Sequence, residues 1–201
     1  MEIESIRANL KDMLELRGDD VTYIDEHGDA VEISRYYNEL IELSTDKTTV
    51  FFALSKDVLK EWKQREETAS NLVANYKTKN FILVLKSPFA PDAPSSPMMN
   101  YIMTKDKELQ LIGGMLQVFY MRELLYNPMK HEYVPKHEKL NEEEAKAVME
   151  QYLVRHRSQL PVISRTNDPI AKRLGLRHGD IVRITRHNQT SGTYYYYRCC
   201  V

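Results

Sequence analysis

Cysteines and long apolar runs are both scarce in this 201-residue sequence. Its two cysteines, Cys199 and Cys200, are adjacent, and neighbouring side chains on an extended chain point to opposite faces. We therefore expect no disulfide between them and a reducing, intracellular setting. The longest apolar runs, FFAL and FILVL, are too short to span a bilayer. The first residues, MEIESIRANL, are acidic and amphipathic, unlike a signal peptide, so we expect no membrane partner.

Motifs of several enzyme classes are also absent from the sequence. Neither GxGxxG nor GxxxxGK[ST] occurs, so no glycine loop is predicted to hold a phosphate. There is no GxSxG, and the terminal cysteine pair has no convincing His–Asn partner for nucleophilic catalysis. We accordingly predict no catalytic residue, no cofactor and no small-molecule substrate.

Charge is distributed unevenly along a chain whose 42% hydrophobic content indicates a folded protein. Residues 1–127 carry 15 Lys+Arg and 21 Asp+Glu, which gives −6, and residues 128–201 carry 13 and 8, which gives +5. The Asn127-Pro128 pair breaks the preceding pattern, so we predict domains at 1–127 and 128–201. Neither part is basic enough to indicate nucleic-acid binding by charge alone.

The first unit reads as an α/β domain. Apolar spacing predicts a helix over 3–17, a short helix in SRYYNELIEL, a long helix from Asp57 to Tyr76, and helical or mixed structure over 105–126. We predict a short hairpin around HGD and strands in TTVFFAL and FILVL, the last two forming a parallel βαβ unit. Four prolines make SPFAPDAPSSP, residues 87–97, a loop.

The second unit reads as a small α+β domain. Asn141 with Glu144 predicts a capping box, and the helix running to about Leu153 should bury Ala145, Val148, Met149 and Tyr152. Asp168, Pro169 and Gly175 predict the cap, first residue and left-handed end of another helix. DIVRITR and TYYYYRCCV should form a hairpin, with Tyr194, Tyr196 and Arg198 on one face of the last strand and Tyr195, Tyr197 and Cys199 on the other.

Two site hypotheses concern the stretch HEYVPKH and the glutamates after it. A zinc site would use His131, His137, His178 and Cys199 or Cys200, but close-paired ligand spacings such as CxxC or HxxxH are missing. Local hydrogen bonds of His131 and His137 explain these residues more simply. The three glutamates 142–144 fall in the first turn of a capped helix, where the helix dipole favours them without any catalysis.

A nuclease is the remaining enzyme hypothesis, because a βαβ core with a preceding helix suits a restriction-endonuclease type. Such enzymes hold Mg²⁺ with an acidic residue and an E-x-K triplet. Here FILVLK ends in Lys86, but Val84 stands at the glutamate position and Asp92 is out of register in the loop. The metal-binding carboxylate is therefore missing, so the sequence predicts no metal ligands, and a domain with a nuclease-like fold would be inactive.

The roles of the aromatic and basic residues near the C-terminus stay open. Tyr194 to Tyr197 could stack on bases, yet on a hairpin strand at least two should pack against a core. Arg183 and Arg186 could contact phosphate, or they could face solvent or a partner protein.

The order of motifs in the last 70 or so residues points to a family. HEYVPKH, EEA, QLPVI, DPIAKRLGLRHGDIVRITR and TSGTYYYYR resemble the C-terminal domain of the fifth subunit shared by the eukaryotic nuclear RNA polymerases, to which a small subunit of the archaeal polymerases is similar. The family's RPSETAG reads RHNQTSG here, with His187 and Gln189 in place of proline and glutamate. The family's aliphatic ending is replaced by Cys199 and Cys200. Before residue 128, TVFF, FILVL and LQVFYMRELLYNP occur in the order of the family's N-terminal jaw domain.

The resemblance implies a non-catalytic subunit of DNA-directed RNA polymerase, with an inactive, nuclease-like α/β jaw domain and a small α+β assembly domain. Partners would be the largest subunit, other polymerase subunits and, weakly, downstream duplex DNA. The expected interface residues are Pro135, His137, Arg186, Thr190, Gly192, Tyr194, Tyr197 and Arg198. The expected DNA-proximal loop residues are Lys86, Ser87, Pro88, Pro91 and Pro94.

Origin and setting stay open at this point. The short segment before TVFF suits a member from a large DNA virus, which would place the protein in the virion or host cell; a cellular member would be nuclear. The alternative is a stand-alone nucleic-acid-binding adaptor with a dead nuclease-like domain, and an active nuclease or zinc protein comes third.

Overall fold

The structure is a computed structural model that describes residues 2–22, 39–68, 76, 78–190 and 192–201. The chain divides into two compact units, Met1–Tyr126 and Asn127–Val201, which we describe separately as unit 1 and unit 2. In the described ranges, no helix has both the length and the apolar character needed to cross a membrane.

Unit 1 is a mixed α/β unit built on a four-stranded sheet of order β1-β2-β3-β4. Its elements are α1 (Glu2–Leu16), β1 (Ile41–Ser44), β2 (Thr48–Ala53), α2 (Lys56–Thr68), β3 (Asn80–Leu85), α3 (Ser96–Leu111), β4 (Met115–Tyr120) and the single turn α4 (Met121–Leu124). Strands β2, β3 and β4 are parallel, and β1 is an antiparallel edge. The predicted parallel βαβ unit is confirmed.

Helices cover both faces of this sheet, which explains why β2 is buried along its whole length and β3 at every residue after Asn80. On one face, Val50, Ile82 and Phe119 pack with residues of α1. On the other face, Phe51 and Phe81 pack with residues of α2 and α3. The alternation of side chains along each strand therefore serves two separate cores.

Several predictions for unit 1 are wrong in detail. The helix expected in SRYYNELIEL is contradicted where the structure describes it, because residues 41–44 form β1. Residues 105–126 are mixed, which is one of the two predicted alternatives, since α3 ends at Leu111 and strand β4 covers Met115–Tyr120. The proline loop ends at Ser95, which caps α3, so Pro97 lies in the first turn of that helix. Tyr76 lies outside any helix, residues 69–75 are not among the described residues, and neither is the hairpin expected around HGD.

Unit 2 has a second four-stranded sheet, of order β5-β7-β8-β6. Its elements are a 3-10 turn (Pro128–Lys130), β5 (Lys136–Lys139), α5 (Glu142–Gln151), a 3-10 turn (Arg157–Gln159), β6 (Val162–Ile163), α6 (Pro169–Arg173), β7 (Ile181–Asn188) and β8 (Gly192–Cys200). The predicted hairpin of β7 and β8 is confirmed. So are the capping box of α5, the Asp168 cap of α6 and the left-handed Gly175.

Each face of the unit 2 sheet has its own small core. Val182, Ile184 and Cys200 pack with Ala171 of α6, while Ile181 packs with Ala145 and Val148 of α5. Burial of Tyr152 was expected but is wrong, because α5 ends at Gln151 and the tyrosine side chain is exposed. Towards the turn of the hairpin, both faces become exposed.

Candidate functional site

Four side chains of the hairpin formed by β7 and β8 share one of its faces. The register pairs Arg186 with Tyr194, Ile184 with Tyr196 and Val182 with Arg198, and paired residues lie on the same face. We call Arg186, Tyr194, Tyr196 and Arg198 the arginine–tyrosine face. It brings together three of the predicted interface residues, and the register of β5 places His137 beside Ile184 on the same face.

Tyr196 is the centre of this face. The Cζ atom of Arg186 lies 4.9 Å from the centroid of the Tyr196 ring, and that of Arg198 lies 5.5 Å from it. Two guanidinium groups therefore make cation–π contacts with one ring, which favours a single arrangement of these long side chains. Arg198 also donates from Nη1 to the Val162 carbonyl oxygen at 2.9 Å. No carboxylate in the described parts of the chain pairs with Arg186 or Arg198.

On the opposite face of the hairpin, Arg183 is held by a carboxylate. Arg183 donates to Oε2 of Glu138 on β5 from Nε at 3.3 Å and from Nη2 at 3.1 Å. Hydrogen bonds from Lys136 and Arg183 hold the pKa of Glu138 below its ordinary value. Tyr197, a predicted interface residue, lies on this face with its ring 5.5 Å from that of Tyr152. The structure thus separates Tyr197 from Tyr194.

The turn of the hairpin contains the two remaining predicted positions on this element. The N–H of Thr190 donates to Oδ1 of Asn188 at 2.9 Å. Gly192 has a φ of 72°, a left-handed conformation that favours glycine. Both residues therefore shape the turn, whatever else they contact.

HEYVPKH forms a turn followed by the start of β5. Residues 131–134 close through a hydrogen bond from the Val134 N–H to the His131 carbonyl oxygen. Nδ1 of His131 accepts from the Tyr133 N–H at 3.3 Å, and Nδ1 of His137 lies 2.6 Å from the Pro135 carbonyl oxygen. These contacts confirm local hydrogen bonds for both histidines.

The candidate zinc ligands do not converge in the structure. Among the residues that it describes, no three His, Cys, Asp or Glu side chains are placed to hold a metal ion together. Cys199 and Cys200 are buried in β8. Burial raises the pKa of Cys199 and raises that of Cys200 to about 11, so both thiols stay protonated and pack as small apolar groups.

The loop between β3 and α3 of unit 1 is the second candidate region. Nζ of Lys86 lies 3.1 Å from Oδ2 of Asp92, so the two residues that the nuclease hypothesis considered form an ion pair. Oγ of Ser87 accepts from the Phe89 N–H at 3.1 Å, and Cζ of Arg122 lies 5.0 Å from the centroid of the exposed Phe89 ring. The predicted residues Pro88, Pro91 and Pro94 all lie in this loop.

Comparison with known proteins concerns mainly unit 2. The family described as RNA polymerase Rpb5, C-terminal domain, matches residues 126–200. DNA-directed RNA polymerase subunit Rpo5 of Pyrococcus horikoshii is 49% identical over 76 residues, which are 38% of this chain and 90% of that protein. The chain belongs to the RNA polymerase Rpb5 family. The resemblance read from the sequence is confirmed, and the family consists of accessory, non-catalytic polymerase subunits.

Two other relatives show how far the similarity extends. Subunit Rpo5 of Methanosarcina acetivorans is 45% identical over 76 residues, 38% of this chain and 95% of that protein. The rpabc1 subunit of RNA polymerases I, II and III from Dictyostelium discoideum is 44% identical over 86 residues, 43% of each chain. The Rpb5 family match therefore begins at the last residue of unit 1 and covers nearly all of unit 2.

Tyr196 and Val162 are interface candidates of this Rpb5 member that sequence reasoning missed. The two-residue period of β8 already placed Tyr196 between Tyr194 and Arg198, so its central position could have been found. Val162 is exposed on β6 and its carbonyl oxygen accepts from Arg198. No sequence pattern indicates the contact between Arg198 and Val162, because these two residues are 36 positions apart.

Proposed function

We propose that unit 2 docks this subunit on the largest polymerase subunit through the arginine–tyrosine face and His137. The observation that carries the proposal is the clamp of Arg186 and Arg198 around Tyr196. Tyrosine and arginine are the residue types that dominate binding energy at protein interfaces, and here their side chains are already ordered. Pro135, Thr190 and Gly192 support the surface by shaping the chain before β5 and in the hairpin turn. Tyr197 lies on the opposite face of the hairpin and would be a separate contact.

We further propose that unit 1 forms part of a jaw near downstream duplex DNA, with the loop of Lys86, Ser87, Pro88, Pro91 and Pro94 facing it. The ion pair of Lys86 with Asp92 leaves little net charge there, so any DNA contact should be weak and made through shape or a backbone phosphate. Val84 is buried in β3 where a nuclease would hold a metal-binding carboxylate, which supports a role without cleavage. The protein would then act wherever that polymerase transcribes, in the nucleus for a cellular member.

Reconstitution of the polymerase tests the docking proposal. The full chain should co-purify with the largest subunit, and Tyr196→Ala should lose about tenfold or more in affinity because removing an aromatic anchor from an interface takes away over 1 kcal/mol. Tyr133→Ala, which removes an exposed tyrosine in the turn before β5, is the matched control. A wild-type chain that stays monomeric and never joins the polymerase contradicts the proposal and favours a stand-alone adaptor.

A further inference from the structure

One edge of β8 is open over most of its length. Strand β6 pairs with β8 at only two positions, Val162 with Cys199 and Ile163 with Cys200. Beyond that, residues 193–197 have β7 on one side and no strand from the described residues on the other. The unit 2 sheet therefore presents a row of main-chain groups to which another strand can bind.

The hydrogen bonds at the end of β8 show which residues direct their main-chain groups towards the open edge. The N–H of Cys199 donates to the Pro161 carbonyl oxygen at 2.8 Å, on the β6 side. The N–H of Cys200 donates to the Asp180 carbonyl oxygen at 2.8 Å, on the β7 side. Because main-chain groups alternate sides along a strand, Thr193, Tyr195 and Tyr197 direct their N–H and C=O groups to the open edge.

Nothing in the sequence of β8 blocks this edge. Proteins usually protect an edge strand with proline, lysine or a bulge. Residues 192–200 contain neither proline nor lysine, and they pair with β7 without interruption. Threonine and tyrosine are good strand formers, so the edge is both accessible and regular.

The charge beside the edge is of one sign. Residues 181–201 contain three arginines and no aspartate or glutamate. Arg183 is neutralised by Glu138, whereas Arg186 and Arg198 contact an aromatic ring and a carbonyl oxygen. An incoming strand would therefore meet two guanidinium groups on one face of the hairpin that favour carboxylates.

We propose that an extended, acidic segment of a polymerase subunit adds to the open edge of β8 as a fifth strand. Its main chain pairs with Thr193, Tyr195 and Tyr197, so it spans about five residues, and its carboxylates lie towards Arg186 and Arg198. The inference rests on the proposed docking function and specifies how the partner binds. A second copy of this chain and duplex DNA are the competing occupants of the edge.

Amide exchange in the wild-type protein tests this pairing without any substitution. Exchange resolved to single residues is measured on the full chain alone and after assembly into the cognate polymerase. Assembly should slow the outward amides of Thr193, Tyr195 and Tyr197, while the inward amides of Tyr194 and Tyr196 are slow in both states. Unchanged exchange of the outward amides in an assembled complex overturns the inference and leaves the proposed docking function standing.

A pair of substitutions at Tyr195 distinguishes the contribution of the main-chain hydrogen bond to binding from that of the side chain. Tyr195→Pro removes an outward N–H without removing a hydrogen bond to β7, and Tyr195→Thr removes the ring but keeps the N–H. We expect Tyr195→Pro to weaken assembly by about tenfold and Tyr195→Thr by much less. Equal affinities of the two variants overturn the inference. If Tyr195→Pro melts at a lower temperature than the wild type, Thr193→Pro is measured against Thr193→Val instead.

Three further results decide the occupant. Arg186→Gln and Arg198→Gln should each weaken assembly several-fold and reduce its salt dependence, as expected for an acidic partner. Concentration-dependent dimers that protect the same amides assign the edge to a second copy and overturn the proposal. Protection by duplex DNA alone overturns it as well. A wild-type chain that does not assemble contradicts the docking function itself, so the two failures are distinguishable.

Discussion

Asn141 and Glu144 cap α5 reciprocally. Oδ1 of Asn141 accepts from the Glu144 N–H at 2.8 Å, and Oε2 of Glu144 accepts from the Asn141 N–H at 3.0 Å. Two main-chain donors at the start of the helix are thereby satisfied. This helix forms one wall of a unit 2 core, so its first turn bears on the stability of the docking unit.

Removing the cap should destabilise the protein measurably. Asn141→Ala is expected to lower the free energy of unfolding by about 1 kcal/mol, whereas Asn141→Ser retains an acceptor and should be close to the wild type. Urea unfolding followed through unit 2 measures the difference. Equal stabilities of the two variants would show that the side-chain acceptor at position 141 contributes nothing.

The end of α5 offers a stabilising substitution. Leu153 has a φ of 55°, and the N–H groups of Leu153 and Val154 donate to the carbonyl oxygens of Glu150 and Met149, a glycine-type helix end with leucine in the left-handed position. The Leu153 side chain is 88% exposed, so little packing is lost on its removal. Leu153→Gly should raise the free energy of unfolding by roughly 0.5–1 kcal/mol.

The neighbouring residue supplies the control for that experiment. Tyr152 has a φ of −98°, which needs no glycine, so Tyr152→Gly should destabilise the protein instead. Thermal unfolding of both variants shows whether each substitution raises or lowers the stability of the protein. A loss of stability in Leu153→Gly would mean that the leucine side chain stabilises the fold by a contact.

Glu66 of α2 should make stability depend on pH. It is only 6% exposed, and burial raises its pKa from 4.5 to about 7, with Lys105 lowering it and Glu42 raising it further. Because the folded state retains a proton that the unfolded state has lost, stability should decline as pH rises from 4.5 to about 7 and level off above. Glu66→Gln should therefore stabilise the protein by about 1–3 kcal/mol near pH 8 and hardly at all near pH 4.

Glu67 is the matched control, because it is the next residue of α2 and is exposed. Glu67→Gln should shift stability by no more than a few tenths of a kcal/mol at either pH. Unfolding midpoints of both variants across this range provide the test. A stabilisation by Glu66→Gln that is the same at low and high pH would refute the raised pKa.

Two adjacent glycines before β4 should respond differently to substitution. A Cβ on Gly114 would lie 2.5 Å from the Lys79 carbonyl oxygen, so Gly114→Ala forces the main chain apart and should destabilise the protein by about 1–3 kcal/mol. Gly113 has a φ of 75° with open space around it, so Gly113→Asn should be tolerated better. Unfolding midpoints of the two variants provide the test, and we expect a lower midpoint for Gly114→Ala than for Gly113→Asn. The reverse order would contradict the prediction.

These glycines also show where sequence reasoning about unit 1 was insufficient. Leu109, Ile112, Leu116 and Phe119 follow a helical spacing, yet the helix ends before Gly113 and the last two belong to a strand. The spacing is accidental there, because β4 is buried by neighbours that come from distant parts of the chain. Edge strand β1 was missed for a related reason, since its four residues gain their structure from pairing with β2.

Unit 2 was predicted more fully because its signals are local. Asn141, Asp168 and Gly175 each determine a helix end through contacts within a few residues. The two-residue alternation of β8 gave the faces of its tyrosines correctly. The cation–π contacts of Tyr196 and the bond from Arg198 to Val162 could not be derived, because they depend on how strands and side chains meet in space.

The two strand orders imply different courses of folding during synthesis. In unit 1 every strand that the structure describes lies next to the one made just before it, so the sheet can grow step by step as the chain leaves the ribosome. In unit 2 the last strand, β8, is the one that links β7 to β6. Its sheet therefore stays incomplete until residues 192–200 have emerged, and nascent chains stalled before them should be sensitive to proteases.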